Sequence, residues 1–494
     1  MQQPGLKRVR VMMAAACVAA STCTARPNPD ADAGVVRVGV VAPREGGPSG
    51  VAGLQYLTGA LVNETLVSIG TNGEIVPRLI ERWERSADGR TWRFHLKKGV
   101  RFHNGAPLTS EVILPALKTS LGALIGAREV SRVDDLTFEI VQDTPSPLLL
   151  DGLIDVSIAT GEEVRVGTGP FFADPQNAGG IVFRAFDAYH RGAPSIREVS
   201  LKQYEDQRNA WAALMRGEIN VLYEVSPEAR DFVETESTVT VSAFLRPYTY
   251  LLAFNLGRPE FKDKRIRRAL NLAIDRDEII QTALRGHGVP AYDHLWPRHW
   301  AVDASRAAYP PDRTAALQLL KAAGRTSLHA STGDRMPSRL AFHCIVYEPL
   351  EKFAQAIQRQ LALVDVDMSI ELLPLTAIGP RIGTGDFDAF LLPLTNVRSL
   401  AYTYKYFHSG PAPMFPGYNA ADAALDRMRL AESDDEVKAA VRVVQDVMRD
   451  DPPAIFIAYP EIARAVSRQF AIPEGPEDIF HTIARWKLAP SRTN

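Results

Sequence analysis

Between residues 254 and 459 the sequence alternates amphipathic helical stripes with short apolar strands, and that alternation restricts the chain to the α/β class. The stripes are Ile266, Leu270, Ala273 and Ile274; Leu317 and Leu320 ahead of Gly324; Leu350, Phe353, Ile357 and Leu361; and Val437, Val441, Val444 and Met448 behind a Ser433–Glu436 capping box. Strands are expected between them at Met368–Leu375, Asp388–Leu394 and Ala454–Tyr459. Upstream, Val35–Ala42 reads as a first strand that runs into a Gly/Pro-rich loop. Trp92, Phe94 and Leu96 alternate with Arg93, His95 and Lys97, and Leu136, Phe138 and Ile140 repeat the period. Residues 75–145 therefore predict a small sheet unit, with a helix after Thr109. A helix at Arg208–Met215 stopped by Gly217 is expected next, then strands at Ile219–Tyr223 and Tyr248–Phe254.

Length and charge narrow the function classes. The chain has 494 residues, of which 46% are hydrophobic and 23% charged, enough for two or three domains and incompatible with wholesale disorder. Fifty-six basic against 58 acidic residues leave a net charge of −2, with no electrostatic footprint for nucleic acid or an anionic membrane. At the N-terminus, Lys7, Arg8 and Arg10 precede an uncharged run, Val11–Ser21. That run spans only ~16 Å as a helix, too short for a bilayer, so residues 1–25 read as an export signal and 26–33 as a flexible tether. Cleavage before Arg26 and lipidation of Cys23 are both open; the residues before Cys23 lack the leucine usual at a lipidation site. Either route places the mature chain in the periplasm or otherwise outside the cytoplasm. Cys344 is then expected to be a buried small hydrophobe.

Catalytic signatures are missing. The sequence has no nucleophile elbow, no phosphate-binding loop, no H-E-x-x-H and no C-x-x-C. No catalytic residue, metal site or cofactor is expected. His287, His294 and His299 share one loop at a spacing that matches no known ligand set. Asp386 and Asp388 read as turn charges that solvent satisfies, with a carboxylate pair as the alternative. Tyr402, Tyr404 and Tyr406 would share one face if their segment is extended.

Seven segments, in order, carry a family likeness: Val76–Glu111, Gly167–Phe171, Ala188–Asn220, Phe254–Ile280, Leu319–Gly324, Phe353–Leu361 and Gly385–Leu391. With these the chain resembles the extracytoplasmic solute-binding proteins of peptide-type ABC importers, family 5, which bind oligopeptides, dipeptides or nickel. The resemblance implies a two-lobed, three-domain binding-protein fold with the ligand cleft between the lobes. It implies one lobe from residues 34–57, 168–256 and 460–494, an accessory sheet domain at 58–167 and a second lobe at 257–459, with crossings near Phe254–Asn255 and Tyr459. It further implies a monomer that captures a peptide or other small organic solute by hinge closure and delivers it to an inner-membrane ABC permease. A ligand sensor or chaperone on the same fold, and a secreted hydrolase, are the alternatives.

Peptide-binding members place an aspartate soon after the F-D-A strand to meet the ligand's α-amino group. Here Leu391–Gly410 holds no Asp or Glu but does hold Arg398 and Lys405, which suits an anionic, neutral or aromatic ligand better than a free peptide N-terminus. Position after a strand together with polar or aromatic chemistry selects Tyr56, Tyr250, Asn255, Thr395, Asn396, Arg398 and Tyr402 as candidate ligand-binding residues.

Overall fold

The computed structural model describes residues 34–41, 56–120, 126–158, 166–174, 181–303, 305, 310–325, 339–410 and 414–490. The expected export signal, Cys23 and the tether lie outside the described residues.

One mixed sheet of twelve strands forms the spine. In its first half Val35–Val41 runs parallel to Glu198–Tyr204 and to Val221–Val225. In its second half Leu340–Tyr347 runs parallel to Val366–Leu373 and to Ala389–Leu394. A single strand, Ala454–Ser467, joins the two. Its first part pairs with Thr249–Phe254, and its second part with Val221–Val225 and Val239–Leu245. The chain is thus a two-lobed α/β protein.

Each unit buries its own core, which is why the halves can be rigid separately. Leu66 to Ile158 supply a core around Phe94, Phe102 and Phe138, under a four-stranded antiparallel sheet. The first half packs Val36, Val38, Phe183, Phe480 and Trp486 on one face and Ala210, Leu214 and Val225 on the other. The second half has the largest core, from Leu251 to Tyr459. The expected helical stripes are its inner faces: Ile266 and Leu270 on Lys264–Leu272, Phe353, Ile357 and Leu361 on Glu351–Ala362, and Val437, Val441, Val444 and Met448 on Asp434–Asp450. Ser433 caps the last of these by accepting from the Glu436 N–H at 3.3 Å, but the Glu436 carboxylate reaches back to Glu432 N, one residue beyond the expected box. No helix among the described residues is long and apolar enough to cross a membrane.

The strand expected to end at Tyr459 continues through Pro460 to Ser467. Between the strands Val239–Leu245 and Thr249–Phe254, Arg246 N–H donates to Pro460 O at 3.0 Å. Phe254 pairs with Ala389 at the far end of the second of these strands, and Asn255 follows it.

Candidate ligand cleft

The two sets of parallel strands point at each other along Ala454–Ser467, so their carboxyl ends face one another near residues 459–461. Ligands of open α/β sheets bind outside such ends. Val41, Tyr204 and Val225 close the strands on one side, and Tyr347, Leu373 and Leu394 on the other.

The floor on the first side is a buried ion pair. Arg464 is wholly inaccessible and donates to both Asp478 oxygens, at 3.0 and 2.6 Å. Its remaining donors reach Tyr223 O, and its guanidinium lies 4.0 Å from the Tyr223 ring centre. Asp478 also accepts from Phe480 N–H at 3.3 Å. Burial works to raise the Asp478 carboxyl, but Arg464 overrides it and holds the group below its ordinary range. Tyr56, from the helix at 56–62, reaches the same carboxylate, and its hydroxyl lies 3.1 Å from His481 Nε2.

The facing wall comes from the turn after Ala389–Leu394. Asn396 takes φ +58°, a left-handed value that asparagine tolerates, and Ser399 then caps the helix Leu400–Phe407. Arg398 issues from this turn. It is half-buried, and desolvation lowers its pKa, with Glu477 and Tyr56 opposing that shift. Among the described residues it forms no ion pair; its hydrogen bond goes to Gly70 O at 3.3 Å. A guanidinium with so little local compensation retains donors that can make charge-assisted hydrogen bonds to an anion.

Thr395 and Asn396 both lie within hydrogen-bonding reach of the Tyr406 hydroxyl, and Asn396 within reach of Tyr402. Tyr402 donates to Asp155. The alternating tyrosines do not share an extended face, because Ser399 starts a helix. Tyr402 and Tyr406, four apart, become neighbours with ring centres 5.3 Å apart. Tyr404 turns away to Asp426, 3.1 Å from its hydroxyl.

Tyr250 sits at the cleft end of its strand, opposite Pro393, in a separate aromatic group: 4.7 Å from the Phe353 ring and 5.5 Å from Tyr248. The structure does not bring Asn255 to the cleft. It ends the same strand about 16 Å away, where its amide donates to Phe387 O at 2.9 Å and to Gly385 O at 3.2 Å.

The remaining candidates disperse. His294 packs against Phe407 and hydrogen-bonds Thr403 at 3.0 Å, and burial pushes it down to about 3. His299 lies against Gly73, where a Cβ would stand 2.2 Å from its ring, and burial pushes it down to about 4. His287 lies 3.9 Å from Glu461. Among the described residues no group of three or more His, Cys, Asp or Glu is placed to hold a metal ion. Asp386 pairs with Arg381 at 3.2 Å and Asp388 with Arg258 at 3.1 Å, so the two aspartates are spent on different partners. Cys344 is fully buried in its strand, and burial pushes its thiol up.

The accessory unit also touches the second half. Thr71 O accepts from Trp296 Nε1 and Asn72 O from Trp300 N–H, both at 2.8 Å. Asp151 is buried against the start of the helix Leu400–Phe407. Burial pushes it up to about 7, against the pull of Ser399 and the Leu400 N–H. A carboxyl raised in the folded state adds stability that is full below its unfolded pKa of about 4 and is lost as pH rises through about 7. Thermal unfolding should therefore be more resistant at pH 5 than at pH 8. Asp151→Asn should flatten that difference by more than about 1 kcal/mol; an unchanged slope in the variant assigns it elsewhere.

Arg464, Asp478, His481, Asp155 and Arg78 were not selected from the sequence. The available signal was Arg464 which, with Glu461, is one of two charged residues in the mostly apolar run Ala454–Ser467.

The profile described as bacterial extracellular solute-binding proteins, family 5 Middle, matches residues 74–413. The chain belongs to this family. This family 5 protein is 24% identical over 488 residues to the dipeptide-binding protein of Escherichia coli K12, covering 86% of this chain and 90% of that one. It superposes on the oligopeptide-binding protein AppA of Bacillus subtilis, solved with a nonapeptide, with a TM-score of 0.75 at 20% identity over 92% of this chain and 99% of that one. AgaA of A. tumefaciens R10, solved with agropinic acid, gives a TM-score of 0.76 at 20% identity with the same coverage. The family is one of bacterial extracellular solute-binding proteins, and this family 5 chain is a substrate-binding component.

Proposed function

We propose that this protein captures an anionic small organic solute between its lobes and passes it, chemically unchanged, to an inner-membrane ABC permease. The observation that carries the reading is Arg398, a half-buried cation at the cleft wall without an ion-pair partner among the described residues, in a stretch, Leu391–Gly410, that has no acidic residue. Relatives built on this fold hold ligands as different as a nonapeptide and agropinic acid, so the fold leaves the ligand to the side chains of each cleft. Tyr56 is placed beside Arg398 from the opposite lobe; Thr395, Asn396 and Tyr402 line the same wall; Tyr250 forms the hinge-side aromatic boundary.

The hinge is assigned to Arg246–Tyr248 and to Tyr459–Glu461. The lobes are then 34–57 with 168–245 and 462–490, carrying the accessory unit 58–167, and 249–458. A solute touching both lobes is bound fully only in the closed state, and closure is the signal a permease reads. No catalytic group is required. The mature chain acts outside the cytoplasm as a monomer, free or held through Cys23.

Mass spectrometry under native conditions tests the reading. The purified protein should carry or take up a solute of net negative charge and release it intact. Arg398→Ala should weaken that solute by more than about tenfold, because one charge-assisted contact is removed. A neutral or cationic solute, held equally by the variant, would sink it.

A further inference from the structure

Three features of the cleft converge on His481. First, the residue is accessible from solvent but set among neighbours that partly desolvate its ring, and its Nε2 lies 3.1 Å from the Tyr56 hydroxyl. Second, Tyr56 also reaches Asp478, an ionised carboxylate already gripped by Arg464 and able only to accept. A Tyr56 hydroxyl that donates to Asp478 has its oxygen free to accept from His481 Nε2–H, and in that arrangement Nδ1 is the bare, protonatable nitrogen. No described side chain hydrogen-bonds Nδ1. Third, charged groups face the ring from every described element around it. Asp478 and Glu477 precede it on its own segment; Arg78 comes from the accessory side, Arg398 from the opposite lobe and Tyr56 from the helix at 56–62.

We propose that His481 makes solute capture proton-linked: its Nδ1 takes up a proton as an oxyanion, carboxylate or phosphate, seats between it and Arg398. The proposal rests on the anionic reading of the cleft and adds its regulation by pH.

Burial, with Arg78 and Arg398, keeps the empty cleft's imidazole below its ordinary value, against the opposing pull of Asp478 and Glu477. An anion in the gap reverses the balance. It screens the two guanidinium groups and supplies an opposite charge beside the ring, which raises an imidazole by about 1–3 pH units. The new Nδ1–H then donates to the anion that brought it. The proton comes from solvent and returns there when the lobes open. Uptake is therefore favoured in mildly acidic surroundings, and binding weakens as pH rises.

The test is a histidine-selective NMR titration of the full chain from pH 5 to 8, with the His481 signal identified by its loss in His481→Gln. Glutamine keeps an N–H for Tyr56 but cannot be charged, and His481→Asn provides a second uncharged variant should the first misfold. Inorganic phosphate and succinate serve as separate probes, distinguishing phosphate from carboxylate chemistry. The expected result is a His481 titration in the empty protein below that of a free imidazole and higher in Arg398→Ala. At least one probe should move it up by more than about one pH unit. The uncharged variants should still bind that probe, with only the pH dependence of the probe's own ionisation left. If a probe raises the melting temperature through Arg398 while His481 does not move, proton linkage is overturned and the anionic reading stands. If neither probe binds through Arg398, and a co-purifying solute proves cationic or neutral, both fall.

Discussion

Arg464→Met is expected to cost the fold about 3–5 kcal/mol, because it strands a carboxylate in the protein interior. Asp478 is buried, and what holds its charge there is the two-pronged grip of Arg464 at 3.0 and 2.6 Å. With that grip gone, Phe480 N–H and Tyr56 are left to hold an anion that burial opposes. Urea unfolding followed by circular dichroism should show the loss at neutral pH and a partial recovery on acidification, since the stranded carboxyl can then bind a proton. Arg464→Met combined with Asp478→Asn should return more than half of the loss, because removing both charges removes the penalty. A single variant as stable as the parent, or a double variant no better than the single, would mean that the pair does not hold the cleft floor. The same substitution should weaken solute capture, because Tyr56 and His481 are positioned through Asp478.

The class of fold was legible wherever apolar periodicity met a cap. Lys264–Leu272 begins at Asp263 and Asp434–Asp450 at Ser433, and in each the expected stripe is the buried face. Periodicity failed where long-range pairing overrode local pattern. The run ending at Tyr459 looks finished because Pro460 and Glu461 interrupt it. In the fold Pro460 needs only its carbonyl, which Arg246 uses, and Glu461 is matched by Arg230. Tyr402 to Tyr406 alternate as a strand would, yet Ser399 caps a helix there. Arg398 could be singled out from the sequence because it is a cation in a stretch without carboxylates. His481 was not, since its meaning comes from Tyr56, 425 residues away, and from an ion pair that closes only in three dimensions. Asn255 shows the converse: its place after a strand is real, but that is the end of the strand pointing away from the cleft.

Glu64→Gln should loosen the accessory unit from the first lobe and remove a stability term of about 3 kcal/mol at neutral pH. Glu64 is 1% exposed and begins a two-residue strand paired with Ser157–Ile158. Its oxygens take hydrogen bonds from Thr168 at 3.0 Å, His190 at 2.9 Å, Tyr189 at 3.3 Å and Arg78 at 3.2 Å, gathering both units on one carboxylate. Burial pushes the group up, but His190 and Arg78 outweigh it and hold the carboxyl down at about 2. A carboxyl depressed in the folded state contributes stability that is present above its unfolded pKa of about 4.3 and lost as pH falls through about 2. The parent should therefore weaken steeply between about pH 4.5 and pH 2, and Glu64→Gln should weaken less over that window. Hydrogen exchange separates the units: protection across residues 66–158 should fall in the variant, while the core around Trp486, which contains no partner of Glu64, keeps its own. Equal loss in both cores, or an acid profile that the substitution leaves untouched, would refute the junction. Arg78 links this junction to the cleft, because it binds Glu64 on one side and faces His481 on the other. Freed of its carboxylate, Arg78 brings a less compensated positive charge to the ring, so the empty cleft of the variant should hold His481 neutral down to a lower pH than the parent does.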